Sequence, residues 1–139
     1  MRFIPTRVHG ILDYLGGVLL IAFPFILDFN SQVATILMVA VGVTVLLYSL
    51  FTDYELGVSR KIPVVVHLAL DGLGGLLLLV SPWLFQFDDI NVVWPFVLMG
   101  LVELGAAFFT HKVADDKAVA TTQHRPSAHT GGYASQGRA

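Results

Sequence analysis

The chain has 139 residues, of which 55% are hydrophobic and only 13% charged, with a formal net charge of -2 and no cysteine. A soluble domain carries about 25% charged residues, so this composition argues against an ordinary water-soluble globule. The missing cysteines exclude a secreted disulfide scaffold, and the charge balance offers no footprint for nucleic acid.

The few charges are unevenly spread. None falls between Tyr14 and Leu27 or between Val33 and Phe51. Asp71 is the single charge from Val64 to Phe87, and Glu103 the single one from Val92 to Thr110. Apolar runs of about 18 residues or more are read as transmembrane helices, since about 20 residues cross the hydrocarbon. Four spans are expected, in an all-α four-helix transmembrane bundle.

The first span covers Pro5 to Phe29. Its apolar stretch exceeds the roughly 7–15 residues of a signal-peptide core, and Phe23-Pro24-Phe25-Ile26-Leu27 offers no small-residue cleavage site. It is expected to stay in the mature chain. The second span is Val33 to Phe51, the third Pro63 to Phe87 and the fourth Val92 to Thr110. Pro5 and Pro63 suit the first turn of a helix, where the missing N–H is harmless. Asp28-Phe29-Asn30-Ser31 and Asp88-Asp89-Ile90-Asn91 supply capping residues for the second and fourth helices. Both connectors are short and force antiparallel neighbours.

Four spans put both termini and the middle loop on one side. All eight basic residues, Arg2, Arg7, Arg60, Lys61, Lys112, Lys117, Arg125 and Arg138, fall there, while the opposite loops hold only Asp28, Asp88 and Asp89. The positive-inside rule then makes both termini cytoplasmic. Trp83 and Trp94 bracket the second outer loop, and Tyr48 and Tyr54 are read as interface or packing residues. A membrane domain of residues 1–111 is expected to end in a disordered cytoplasmic tail, 112–139, rich in Ala, Thr, Ser, Gly and Gln. His111, His124 and His129 are too scattered there for a metal site.

The two halves match without a gap at an offset of 58 residues, the first repeat being 2–53 and the second 60–111. Residues 2–29 are identical to 60–87 at 14 of 28 positions. His9, Asp13, Gly16, Gly17 and Pro24 become His67, Asp71, Gly74, Gly75 and Pro82. Each repeat crosses twice, so the copies are parallel helical hairpins in tandem, unlike the inverted repeats of many transporters.

Ser81-Pro82-Trp83 at a helix end, two helices per copy and a second copy in tandem resemble the SPW-repeat family of small bacterial integral membrane proteins. The resemblance covers about residues 2–111. The first copy departs from it, reading Phe23-Pro24-Phe25, so the serine hydroxyl is not required in both halves. The resemblance implies a membrane location and a four-helix domain, and supplies no catalytic residues.

His9 and Asp13 share a helix face at a spacing of four, as do His67 and Asp71. A charged side chain avoids lipid, at a cost of about 2.5–3.5 kcal/mol for a central Asp. The stripe should therefore face the bundle interior, with the glycines allowing close approach. At 1.5 Å per residue, Asp13, Asp71 and Glu103 fall in one layer roughly 10–12 Å from the inner side. Pro24, Pro82 and Trp83 read as a helix end with an interfacial anchor.

Three readings of the polar residues compete. In the leading one the protein is a noncatalytic structural or interaction module that packs with itself or another membrane protein, the His/Asp pairs fixing helix register. In the second, His9, Asp13, His67, Asp71 and Glu103 handle a proton, a cation or a metal such as Zn, Mn or Fe. In the third, His9 and His67 are axial ligands of a haem in a redox subunit. No nucleophile–base arrangement emerges, which leans the reading away from an enzyme, and the sequence leaves any cofactor unassigned.

Overall fold

Segments with at most two charged residues each fold here as four long helices. The computed structural model describes residues 2–114 together with Lys117, Ala118 and Ala120. Its helices are α1 (Thr6–Ile26), α2 (Gln32–Phe51), α3 (Val64–Leu84) and α4 (Ile90–Phe109). Lengths of 20–21 residues correspond to about 30 Å, the hydrocarbon thickness. All four are long and apolar enough to cross a membrane.

The side chains are distributed as lipid requires. Leu15, Val18, Ile36, Leu73, Leu101 and Phe108 point outward, whereas His9, Asp13, His67, Asp71 and Glu103 are buried. Water would penalise the first set. Lipid would penalise the second if it faced outward. The chain is thus an all-α, multi-pass membrane bundle in a lipid bilayer.

Helix ends follow local chemistry. Ser31 and Asp89 cap α2 and α4 by accepting the backbone N–H groups of Ala34 and Asn91. α1 and α3 end at Ile26 and Leu84, three residues short of the expected Phe29 and Phe87. Asp28 and Gln86 adopt left-handed φ values of 50° and 55° and turn the chain. The N–H groups of Phe29 and Phe87 then bond back to the carbonyls of Pro24 and Pro82, a Schellman-type termination. Pro5 and Pro63 stand one position before the first turn expected for them, as the residues preceding Thr6 and Val64. Their extended ψ values of 146° and 143° let the preceding isoleucines reach sideways.

That reach ties the hairpins together. Ile4 pairs in parallel with Thr110, and Ile62 with Thr52. The N–H groups of Phe3 and Ile4 bond to Phe109 O, and those of Lys61 and Ile62 to Phe51 O. Carbonyls left without partners at the ends of α4 and α2 are satisfied in this way.

Within each hairpin the packing is close. A Cβ on Gly42 would lie 2.8 Å from Gly17 O, and one on Gly100 would lie 2.8 Å from Gly75 O. The α1–α2 and α3–α4 crossings therefore depend on glycine at matching positions. Contacts of α1 with α4 and of α2 with α3 are far sparser. Toward the short loops the interior is apolar, filled by Leu20, Met38, Leu78, Val92 and Phe96. Toward the termini, Tyr54, Val64, Leu68 and Ala114 form a second cluster. Buried Ala114 and Lys117, which ion-pairs with Asp53 of the first repeat, belong to the stretch read as a tail. Most of that stretch, His124 and His129 included, lies outside the described residues.

Candidate metal centre

Starting the helices at Thr6 and Val64 places His9 and His67 in their first turns, with Asp13 and Asp71 one turn further in. The two stripes meet. The Nε2 atoms of His9 and His67 are 3.3 Å apart. His9 Nε2 lies 2.9 Å from Asp71 Oδ2 and 3.3 Å from Asp13 Oδ1. His67 Nε2 lies 3.0 Å from Asp13 Oδ2 and 3.1 Å from Asp71 Oδ2. One ligand-type atom from each of the four residues falls within 4.8 Å of all the others. None of the four residues is more than 3% exposed.

The opposite ring nitrogens are held by two threonines at helix ends. Thr110 Oγ1 is 2.9 Å from His9 Nδ1, and Thr52 Oγ1 is 2.8 Å from His67 Nδ1. Each hydroxyl already donates its single proton within its own chain segment, Thr110 to Ala106 O at 2.6 Å and Thr52 to Tyr48 O at 2.7 Å. A carbonyl only accepts, so each threonine must accept from its imidazole. Both rings thus carry a proton on Nδ1, and in the neutral form both Nε2 lone pairs point inward at two carboxylates.

Tyr48 donates to Asp71 Oδ1 at 2.5 Å. Ser49 and Tyr54 lie at 3.5 Å from Asp13 Oδ2, at the long limit of a hydrogen bond. The rings of Tyr48 and Tyr54 also stand edge-on to His67, with centroids at 4.9 and 5.5 Å. Burial, and then the charge of Asp13, push the Tyr54 phenol upward from its ordinary range, so it remains a donor.

Glu103 is placed differently from the single layer expected for it. Its carboxylate sits beside Gly16 of α1, in the turn beyond Asp13, and its Cβ lies against Gly75 of α3. It is within electrostatic range of Asp71, Asp13 and His67, but among the described residues it hydrogen-bonds none of them. Arg7 is exposed, and no Lys or Arg among the described residues reaches the cluster.

Tyr48 and Tyr54 are therefore buried partners of the cluster rather than interface residues. Thr52 and Thr110 were visible only as a repeated Phe-Thr at offset 58. Gly16 faces Glu103, Gly17 and Gly75 face the partner helix of their own hairpins, and a Cβ on Gly74 would meet nothing. Ser81 Oγ donates to Leu77 O at 2.5 Å and is fully buried, so its hydroxyl is spent inside α3. Trp83 is 68% exposed at the end of α3, as an interfacial anchor should be.

No curated protein and no solved structure matches the chain. The family model of the SPW repeat domain matches residues 7–110, a stretch that holds all four helices but for Thr6 and includes His9, Asp13, Thr52, His67, Asp71, Glu103 and Thr110. On that match, which spans most of the sequence, the chain belongs to the SPW repeat family.

Proposed function

We propose that this membrane protein holds one tetrahedral divalent metal ion of the zinc type, clasped between its two hairpins by His9 Nε2, His67 Nε2 and one oxygen each of Asp13 and Asp71. The observation that carries this reading is the convergence of two imidazole lone pairs on two carboxylates, with the Nδ1 protons committed to Thr110 and Thr52. Four acceptors facing one another repel unless a cation or extra protons lie between them. The four separations that involve a single oxygen of each aspartate (Asp13 Oδ2 and Asp71 Oδ2), 2.9–3.3 Å, approach the ~3.3 Å edge of a tetrahedron with ~2.0–2.1 Å metal–ligand bonds. A divalent ion would neutralise the two aspartates.

Four protein ligands leave no open position, which favours a structural over a catalytic ion. The apolar plug of Leu20, Met38, Leu78, Val92 and Phe96 favours holding the ion over passing it through the bilayer. The metal then serves the module reading: it joins hairpins whose helices pack far more sparsely on each other than within each hairpin. Haem is disfavoured, since a porphyrin does not fit between nitrogens 3.3 Å apart that also contact two carboxylates. Separations of 2.9 and 3.0 Å also suit imidazolium–carboxylate hydrogen bonds, so a metal-free proton network is the second reading.

We read the hairpins as duplicated copies, on the offset of 58 that relates His9 to His67 and Thr52 to Thr110. The clustering of Arg2, Arg7, Arg60, Lys61, Lys112 and Lys117 at one end supports cytoplasmic termini.

The test is elemental analysis of protein purified in detergent without added metal. About one equivalent of a first-row divalent metal is expected, and cobalt exchange should give the intense visible absorption of a tetrahedral site. His67→Gln and Asp13→Asn should remain helical and lose it. A folded protein that carries no metal and takes none up would leave the proton network in its place.

A further inference from the structure

A second feature lies away from the cluster, on the lipid-facing surface between α3 and α4. A groove of about 310 Å³ runs there from Arg2 and Lys112 at the end of the bundle down to Gly72 and Leu104. From Val65 to Gly72 its floor advances seven residue steps, about 10 Å along the helix. Leu68 and Ala107 form its base, and both are buried. A Cβ placed on Gly72 would meet nothing within 4 Å, so the space is open.

The first hairpin provides an internal comparison at the offset of 58. There, Tyr14 stands where Gly72 does, Gly10 where Leu68 does, and Tyr54 where Lys112 does. The Tyr54 ring covers Gly10 so closely that a Cβ there would overlap it, and the Tyr14 hydroxyl bonds to Leu56 O at 3.1 Å. Aromatic rings thus fill in one half the space that remains open in the other. The open half also gains a cation in place of an aromatic ring.

Two positive groups crown an apolar cleft at the level where the helices leave the hydrocarbon. Arg2 turns one guanidinium nitrogen onto Thr110 O at 2.5 Å and has further donors to offer. Among the described residues no carboxylate pairs with Arg2 or Lys112. We propose that this groove binds an anionic phospholipid, its phosphate between Arg2 and Lys112 and an acyl chain lying over Leu68 and Gly72. Each basic residue near a membrane surface adds about 1 kcal/mol toward an anionic lipid, so the pair is worth roughly 30-fold in preference.

Native mass spectrometry of the full-length, delipidated protein in detergent tests this, with phosphatidylglycerol and phosphatidylcholine of identical chains. A preference of at least about tenfold for phosphatidylglycerol is expected. Arg2→Gln with Lys112→Gln should reduce it below about threefold. Gly72→Leu and Gly72→Phe, which fill open space and keep helicity, should lower retention of both lipids. Equal retention of the two lipids by the wild type would overturn the proposal. So would a preference that survives the double charge substitution, or retention unchanged in both Gly72 variants. Full competition by inorganic phosphate would show a free-anion site with no acyl chain, and would also overturn it. Metal content is recorded on the same samples, so failure here is separable from failure of the metal reading.

Discussion

His9 of the first hairpin is held at Nδ1 by Thr110 of the second, at 2.9 Å, and His67 of the second is held by Thr52 of the first, at 2.8 Å. The exchange extends to the carboxylates, with His9 on Asp71 and His67 on Asp13. Association between hairpins is thus polar and reciprocal, whereas association within each hairpin relies on glycine backbones in contact. In lipid this division is physically sensible. Apolar faces gain little by leaving hydrocarbon, while hydrogen-bonding groups gain by finding each other.

Removing the threonine hydroxyls should loosen the imidazoles without touching the four ligating atoms. Thr52→Val with Thr110→Val is expected to weaken metal affinity by about 10- to 100-fold, and Thr→Ser at both positions to restore most of it. Competition with a chromophoric chelator measures this.

Stripping the metal should lower thermal stability in detergent, and added zinc should raise it in a concentration-dependent way. A ligand present at 1,000 times its Kd stabilises by about 4 kcal/mol. In the Asp13→Asn, Asp71→Asn double variant the melting temperature should no longer respond to zinc. An identical response in that variant would place the ion elsewhere.

The glycines should separate into two classes. Gly100→Ala meets the backbone of Gly75 and Leu79 at 2.7–2.9 Å and is expected to destabilise by about 1–3 kcal/mol. Gly74→Ala meets nothing and should be neutral or stabilising by up to about 1 kcal/mol. Reversible unfolding in mixed micelles compares them.

Tyr48→Phe deletes the donor to Asp71 Oδ1 and keeps the ring packed on His67. A loss of about 1 kcal/mol is expected, the scale of a side-chain hydrogen bond inside a membrane protein. Ser81→Ala should cost less than this, because the Ser81 hydroxyl only shares the Leu77 carbonyl inside its own helix. The same unfolding assay ranks the two.

The spans, their number and the inward His/Asp stripes were legible from residue order alone, because a bilayer sets helix length and bars unpaired charge from its lipid face. The glycines and prolines were legible too, through their repetition at an offset of 58. Threading decided the rest. Thr52 and Thr110 meet the histidines where Ile62 and Ile4 pair with them across the hairpins. Nothing local in a Phe-Thr at a helix end signals that contact. Tyr48 and Tyr54, equally suited to an interface by composition, turn inward to Asp71 and Asp13, and the α3–α4 crossing at Gly75 and Gly100 sets Glu103 against Gly75 and beside Gly16. Local sequence governs which face of a helix is polar. Which atoms of two such faces meet depends on the relative height and rotation of helices far apart in the chain, and long-range backbone pairing sets those.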